Sequence, residues 1–272
     1  MRGTGVSAPI LLIGAGHIGT ALIRGWIKAG LGPITAVEPN PSAQLKRLEG
    51  PNLVSDLRRI PRERWRACVV ALKPQVMRAE AVHLKSIASS GTLMISIAAG
   101  TGVEFMAKQW GRKTRIVRAM PNTPGAVDRG ITALYAAPTA TARDRTLAKS
   151  LLSAIGHTVW LKREALIDAA TAVSGSGPAY VFALVEALAA AGVAAGLPRA
   201  TSAVLARATV AGSGALLDAD KRDAGQLARD VATPGGTTEA AFRILLAKDG
   251  LEALMTRAVA AAKARAEELT RS

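Results

Sequence analysis

The chain has 272 residues, of which 49% are hydrophobic, 20% are charged and only 3% are aromatic, and its formal net charge is +15. This composition excludes a disordered chain and predicts one large or two ordinary globular domains with aliphatic cores. A single cysteine, Cys68, excludes an intrachain disulfide, and three scattered histidines predict no metal site.

The positive charge is spread along the chain rather than clustered in one arm, and no nucleic-acid motif accompanies it. We therefore interpret the charge as a property of the surface and expect no nucleic-acid partner. A long apolar stretch at 169–197 contains Glu186 and several glycines, which favours a buried helix over a membrane span. No secretory signal precedes the short apolar run at 10–13, so we expect a cytoplasmic protein without a membrane.

Short apolar runs alternate with helical patterns in the first part of the chain, which predicts a parallel sheet covered by helices on both faces. After residue 161 only helical patterns remain. The sequence therefore predicts an α/β domain at 1–163 and an all-helical domain at 164–272. Strands are predicted at 10–13, 34–37, 68–72, 92–97, 115–119, 131–135 and 158–161, and helices at 20–29, 167–171, 178–195, 200–217, 238–247 and 251–269.

A glycine-rich loop, Gly14-Ala15-Gly16-His17-Ile18-Gly19, joins the first predicted strand to the first predicted helix. Gly14 allows a tight turn, Gly16 lets the backbone approach a pyrophosphate, and Gly19 lets the helix pack closely on the strand. The start of the helix offers unpaired N–H groups to the phosphates. The loop in this setting predicts a dinucleotide-binding domain with a Rossmann-type parallel sheet.

Glu38 ends the second predicted strand, nineteen residues after Gly19. An acidic residue at this position can accept hydrogen bonds from an adenosine ribose, and its charge would repel a 2′-phosphate. This favours NAD over NADP, although Lys46 and Arg47 farther along are available to contact a phosphate. A solvated glutamate at the end of a strand is the alternative interpretation.

Five further segments follow one another in a specific order. They are Ala71-Leu72-Lys73-Pro74-Gln75, Ser96-Ile97-Ala98-Ala99-Gly100, Met120-Pro121-Asn122-Thr123-Pro124, Ser174-Gly175-Ser176-Gly177-Pro178-Ala179-Tyr180 and Val231-Ala232-Thr233-Pro234-Gly235-Gly236-Thr237-Thr238. In this order they resemble pyrroline-5-carboxylate reductases, over nearly the whole chain from Ile10 to about Leu269. The resemblance implies an oxidoreductase that reduces L-1-pyrroline-5-carboxylate to L-proline by hydride transfer from NADPH or NADH, the last step of proline biosynthesis.

The resemblance also implies a set of cofactor contacts beyond the glycine loop. These residues follow predicted strands, and ligands of open α/β sheets bind at the carboxyl ends of the strands. Lys73-Pro74 has an alternative interpretation as the plain end of a strand, because a proline often marks such an end. The implied contacts are Ala71, Leu72, Lys73, Pro74, Ala98 and Ala99.

For the substrate, the resemblance implies that Gly236, Thr237 and Thr238 hold the carboxylate and that Glu164 approaches the ring. The backbone N–H groups of a glycine-rich loop at the start of a helix suit a carboxylate. The Thr238 hydroxyl is the candidate partner of the imine nitrogen and thus the candidate catalytic group. The alternatives are an ordinary helix cap formed by Thr237 or Thr238, and a solvated Glu164 at a domain hinge.

Two other functions compete with this one. A β-hydroxyacid dehydrogenase shares the two-domain plan but is expected to carry a lysine on the first long helix of its second domain, and 178–195 contains none. A non-catalytic nucleotide-sensing protein would keep the glycine loop without needing the loop at 233–238.

The alanine- and glycine-rich helical half has more apolar surface than one thin layer of helices can hide. This predicts a homodimer, and the resemblance adds a decamer, a ring of dimers, as a larger alternative.

Overall fold

A computed structural model describes residues 9–61, 63–89 and 91–271. Tertiary contacts divide the chain into two compact units. The sheet unit comprises Met1–Gly175 and Ala262–Ser272, and the helical unit comprises Ser176–Ala261. The boundary predicted between residues 163 and 164 follows the change in secondary structure rather than packing, and it stays a prediction.

The described part of the sheet unit contains one sheet of eight strands in the order β3-β2-β1-β4-β5-β6-β7-β8. All neighbouring strands are parallel except β6 and β7, in which Val117 lies opposite Ala136 in an antiparallel pair. The strands are β1 (Ile10–Ile13), β2 (Ile34–Val37), β3 (Asn52–Val54), β4 (Ala67–Val70), β5 (Leu93–Ser96), β6 (Ile116–Met120), β7 (Gly130–Ala136) and β8 (Gly156–Trp160).

The prediction of a parallel sheet is confirmed for most of its strands but is wrong for the pair β6–β7. A parallel neighbour needs a crossover of a dozen or more residues, whereas β6 and β7 are joined by a short connection built around the 3₁₀ turn Thr123–Val127. Strand β3 was not predicted, because three half-exposed residues containing one asparagine give little apolar signal.

Two apolar layers cover the two faces of the sheet. Side chains alternate between the faces along each strand, so that Leu12 joins one layer while Leu11 and Cys68 join the other. Burial raises the pKa of the Cys68 thiol well above its usual range, which agrees with the predicted buried strand position.

The two helices predicted in the sheet unit, at 20–29 and 167–171, begin at His17 and Leu166, whereas no positions were predicted for the helices between them. The first helix begins within the glycine loop. The helices are α1 (His17–Lys28), α2 (Ala43–Lys46), α3 (Pro74–Glu80), α4 (Lys85–Ser89), α5 (Val103–Trp110), α6 (Ala142–Leu152) and α7 (Leu166–Ala170); the remaining turns are the 3₁₀ segments Leu57–Arg59, Ala81–Leu84, Thr123–Val127 and Ser153–Ile155 and the π-helical segment Thr171–Gly175.

The helical unit contains no strand within Ser176–Ala261, which is described throughout, and this confirms the all-helical prediction. Helix α10 was not predicted because its eight residues form only about two helical turns. The helices are α8 (Gly177–Ala194), α9 (Arg199–Ala219), α10 (Ala224–Val231), α11 (Thr237–Leu245) and α12 (Leu251–Arg271), of which residues 262–271 belong to the sheet unit.

The apolar stretch expected to form a buried helix is exposed in the single chain. No residue of α8 is buried, although Ser202 of α9 packs against it and donates a hydrogen bond to the Ala189 carbonyl. The prediction of burial is therefore wrong within one chain, because only part of this apolar helix can face α9. By length and composition alone, the stretches Leu166–Ala194 and Arg199–Ala219 are long and apolar enough to cross a membrane, a criterion that helices of soluble proteins also meet.

Candidate active site

The three glycines of the phosphate loop have three different surroundings. Gly14 has φ +88°, and a Cβ added there would lie 2.8 Å from the Ala71 carbonyl oxygen. A Cβ at Gly19 would collide with the Gly14 carbonyl, so helix and loop pack in direct contact. Gly16 is exposed, and a Cβ there would meet nothing within 4 Å. The loop thus combines a tight turn and close packing with an open backbone position that a phosphate can approach.

The Glu38 carboxylate points back to the glycine loop. Its Oε2 accepts a hydrogen bond from the Ala15 N–H at 2.8 Å, and its Oε1 accepts one from the Asn40 N–H at 3.0 Å. These two backbone donors fix the side chain beside the loop at the end of β2. Each carboxylate oxygen has further lone pairs, so the group retains the capacity to accept bonds from ribose hydroxyls.

A cavity of about 700 Å³ opens at the carboxyl ends of β1, β2, β3 and β4. This volume is in the range of cofactor and ligand sites, and its position at the ends of parallel strands is where such sites occur. The cavity brings together six of the predicted cofactor residues, namely Gly14, Gly16, Glu38, Ala71, Leu72 and Lys73.

Sequence reasoning missed several residues of this cavity. Ser55 and Asp56 follow β3, which was not predicted, and Val76 and Glu80 lie on α3. A search for a third strand before the predicted strand at 68–72 would have found the first pair. The other predicted cofactor residues lie outside the lining of this cavity: Ala15, His17, Ile18 and Gly19 in the loop and at the start of α1, Pro74 at the start of α3, and Ala98 and Ala99 after β5.

The described lining of the cavity has more carboxylates than cations. Asp56 receives side-chain hydrogen bonds and a backbone N–H bond from Arg58, and these lower the pKa of its carboxyl to about 2. Arg58 is thereby engaged with Asp56. Glu38, Asp56 and Glu80 line the cavity, while Lys73 is the cationic residue among the lining residues described.

Glu164 lies in a network of ion pairs within the sheet unit. Its Oε1 accepts a hydrogen bond from the Val103 N–H at 2.7 Å, at the start of α5, and another from Arg118 at 3.1 Å. Arg118, only 3% exposed, also pairs with Asp168 at 3.3 Å. Arg118 was not singled out from the sequence, where a charged residue inside an apolar strand was the available signal.

The loop before α11 is described within the helical unit alone. Gly235 has φ +73°, Gly236 is the cap residue of α11 without a side-chain cap, and Thr237 and Thr238 are the first two residues of the helix. The alternative in which a threonine caps this helix is therefore wrong. The Gly236 N–H donates to the Thr233 carbonyl at 2.9 Å, which occupies one of the three N–H groups expected to face a carboxylate.

The N–H groups of Thr237 and Thr238 open the helix, where no preceding helical carbonyl is available to them. Glu239 in the first turn accepts a bond from the Gly235 N–H at 2.5 Å, which holds the loop in its turn. The loop therefore presents two backbone donors and two hydroxyls at one helix end.

Comparison with known proteins adds the following. Residues 164–269 match a family model described as pyrroline-5-carboxylate reductase dimerisation, and residues 9–100 match one described as NADP oxidoreductase coenzyme F420-dependent. The chain is 35% identical over 265 residues to the pyrroline-5-carboxylate reductase of Arabidopsis thaliana, covering 96% of this chain and 95% of the relative. The chain belongs to the pyrroline-5-carboxylate reductase family.

Two solved structures of this family resemble the chain over its length. A pyrroline-5-carboxylate reductase from Coxiella burnetii has 34% identity and a TM-score of 0.89, covering 98% of this chain and 100% of the other. The Plasmodium falciparum pyrroline carboxylate reductase, solved with NADP bound, has 27% identity and a TM-score of 0.81, covering 98% and 99%. The family inferred from the five motifs is thus confirmed, and the helical region matches the family's dimerisation model.

Proposed function

We propose that this protein reduces L-1-pyrroline-5-carboxylate to L-proline with NADPH or NADH as hydride donor, the closing step of proline biosynthesis. The observation that carries the proposal is the relationship to pyrroline-5-carboxylate reductases over 96% of the chain. The open glycine loop and the cavity beside it supply a place for the cofactor. A β-hydroxyacid dehydrogenase remains disfavoured, since α8 contains no lysine.

The residues of the sheet unit fit a dinucleotide. We assign the pyrophosphate to the segment Gly14-Ala15-Gly16-His17-Ile18-Gly19 and the adenosine ribose to Glu38. The reduced nicotinamide supplies the hydride when bound. Its end of the cofactor is assigned to the small or strand-end residues Ala71, Leu72, Lys73, Pro74, Ala98 and Ala99.

In this proposal most of the substrate residues belong to the helical unit and one, Glu164, belongs to the sheet unit. The N–H groups of Thr237 and Thr238, at the positive end of the α11 dipole, bind the carboxylate, and Gly236 gives the loop its shape. The Thr238 hydroxyl donates to or accepts from the imine nitrogen and holds the proton there. Glu164 is assigned to the ring side of the substrate, with its Oε1 anchored by Arg118 and the Val103 N–H.

The proposed reaction needs few acid–base side chains. A protonated imine is intrinsically electrophilic, so the protein chiefly has to align two bound molecules and keep water from the reacting carbon. This agrees with a set of site residues that consists mostly of glycines, alanines and threonines.

The test of the activity is the loss of reduced-nicotinamide absorbance on addition of pyrroline-5-carboxylate, with proline identified as the product. Oxidation of the cofactor with a β-hydroxyacid but not with the imine would favour the dehydrogenase, and dinucleotide binding without turnover of either would favour a sensor. A folded protein that binds the cofactor and gives no proline would overturn the proposal.

The role of Thr238 has its own test. Thr238→Ala is expected to lower kcat/KM for the imine by about tenfold or more, because a hydrogen bond to the reacting nitrogen is lost. Thr237→Ala is the matched control for loss of a hydroxyl at the same helix end, and its kcat is expected to stay near that of the wild type. An unchanged kcat/KM in Thr238→Ala would remove this residue from the mechanism.

The chain functions as a homo-oligomer, and we further propose a cytoplasmic decamer built as a ring of dimers, with no membrane contact. The functional domains in this proposal are 1–163 for the cofactor and 164–272 for dimerisation and substrate. The support is the match of residues 164–269 to the dimerisation model and the exposure of α8 in the single chain. A solution mass of ten chains supports the ring, and a mass of two chains limits the assembly to the dimer.

A further inference from the structure

The end of α12 packs on the loop that follows β5. We call residues 98–102 the β5 loop and residues 266–271 the C-terminal turn; both belong to the sheet unit. Gly100 has φ +62°, and a Cβ added there would lie 2.9 Å from the Leu269 carbonyl oxygen and 3.1 Å from the Leu269 Cβ. The two backbones therefore meet with no room for a side chain between them.

Arg78 joins the two segments. Its Nη2 donates to the Gly100 carbonyl at 3.0 Å and to the Leu269 carbonyl at 2.7 Å, and its guanidinium lies 5.8 Å from the centre of the Phe105 ring. Arg78 is on α3, the helix that begins at Pro74. One side chain thus connects α3, the β5 loop and the C-terminal turn.

A second set of hydrogen bonds holds the C-terminal turn through Thr270. The Thr270 hydroxyl donates to Asp168 Oδ1 at 3.2 Å, and buried Arg118 donates to the same oxygen at 3.3 Å. Arg118 also donates to Glu164 Oε1, which accepts from the Val103 N–H directly after the β5 loop. The C-terminal turn is therefore held against the middle of the β5 loop at Gly100 and is linked through this network to Val103, directly after the loop.

We infer that the C-terminal turn positions the β5 loop for the nicotinamide end of the cofactor, with Arg78 as the positioning residue. The inference rests on the proposed cofactor role of Ala98 and Ala99. These two residues have methyl side chains that anchor a loop weakly, so its geometry depends on supporting contacts. Releasing the loop would cost affinity and alignment at the nicotinamide and leave the adenosine end, held by Glu38 and the glycine loop, unchanged.

The test compares the binding of two ligands that have the adenosine half in common. NADH contains both halves of the cofactor, whereas ADP-ribose contains the adenosine half without the nicotinamide. In Arg78→Met, which keeps the aliphatic stem and removes the donors, NADH is expected to bind about tenfold more weakly, while the Kd of ADP-ribose stays within about twofold of the wild type. With the imine substrate, kcat falls as well, since the hydride donor is less well aligned.

Three further variants make the outcome specific. Arg78→Lys retains a donor and is expected to recover part of the NADH affinity. Thr270→Val loosens the C-terminal turn and leaves the bonds of Arg78 intact. It is expected to weaken NADH binding by less than Arg78→Met does and to leave ADP-ribose binding unchanged. Lys108→Met removes a cation that lines the same surface cavity as Arg78 but bonds neither the β5 loop nor the C-terminal turn, since its partner is Glu104. This variant should bind both ligands like the wild type.

Two outcomes would overturn the inference while the reductase activity stands. One is an equal loss of affinity for NADH and for ADP-ribose in Arg78→Met. The other is an NADH affinity that is unchanged in both Arg78→Met and Thr270→Val. If Arg78→Met does not fold, Thr270→Val decides by the same ratio. A wild-type protein that binds neither ligand would instead overturn the proposed function, and the inference with it.

Discussion

The two units of the chain bury their apolar residues in different ways. In the sheet unit, Leu11 and Leu12 are fully buried between helices of the same chain. In the helical unit, Phe182 is 63% exposed and Ile244 is 74% exposed. Ser202 and Ala206 are the buried residues of Ser176–Ala261. The first unit completes its core within one chain, whereas the second needs the surface of another copy.

The difference follows from the patterns of the sequence. A helix that covers a sheet needs one apolar face, and α6 has this pattern, with its buried residues Leu147, Ala148, Leu151 and Leu152 on one side. Helix α8 is apolar on all sides and has no charged residue except Glu186. Such a helix is stable in water only when it is surrounded, and α9 covers only part of it. Residues 164–269 match a dimerisation model, which points to a second copy of the chain as the surrounding surface.

The largest predicted effect is on assembly. Phe182→Asp places a carboxylate in a surface that the second copy is expected to cover, and it does so twice in a symmetric dimer. Losing two buried aromatic side chains and burying two charges is expected to weaken the dimer by about a thousandfold or more. Size-exclusion chromatography across a range of concentrations measures the change.

The control for this prediction is Val127→Asp in the sheet unit, where Val127 is 69% exposed. This variant is expected to keep the wild-type mass. A dimer in Phe182→Asp as tight as that of the wild type would place the interface elsewhere on the chain.

Two glycines of the phosphate loop are expected to differ, one affecting stability and the other affecting dinucleotide binding. Gly19→Ala forces a methyl group against the Gly14 carbonyl and is expected to lower the free energy of unfolding by about 2 kcal/mol. Gly16→Ala meets open space and is expected to change stability by less than about 0.5 kcal/mol while weakening dinucleotide binding. Thermal unfolding and NADH titration separate the two effects, and a reversed order would contradict the assigned roles.

The cofactor preference is a smaller effect and concerns Glu38. Glu38→Ser removes a carboxylate that can bond the adenosine ribose and repel a 2′-phosphate. The ratio of kcat/KM for NADH to that for NADPH is expected to fall by about tenfold, the equivalent of one hydrogen bond to a charged group. Glu104→Ser, outside the cofactor cavity, is the control. An unchanged ratio would assign the preference to other residues.

The smallest predicted effect is a pH dependence at Asp128. Hydrogen bonds from Lys28 and then Arg24 lower the pKa of its carboxyl below the usual 3.8. Stability from these bonds is therefore present above the unfolded-state pKa and is lost as the pH falls through the folded-state pKa. Because the group is partly exposed, Asp128→Asn is expected to cost less than about 1 kcal/mol near neutral pH.

In urea unfolding, the difference between wild type and Asp128→Asn should shrink as the pH falls below 3.8 and vanish once the carboxyl is protonated in the folded state. Asparagine tolerates the left-handed backbone at this position, so the comparison isolates the charge. A difference that persists in acid would assign the effect to the backbone turn.

The sequence alone predicts the sheet, because glycine spacing and apolar periodicity are local signals, and the resemblance of five ordered segments implies the family and the reductase class. It missed β3 and α10, which have only three and eight residues, and it gave no positions for α2 to α6. The antiparallel β7 and the contacts of Arg118 depend on pairing across the fold, which no local pattern encodes. The substrate and catalytic roles of Glu164, Thr237 and Thr238 stay predictions.

The central claim is that the helical unit is completed by a second copy of the chain. Sedimentation velocity of the unmodified protein at micromolar concentration tests it most directly. The account predicts a species of at least twice the 28.1 kDa chain mass, with no monomer at the higher concentrations. A stable, folded monomer across the whole range would contradict it.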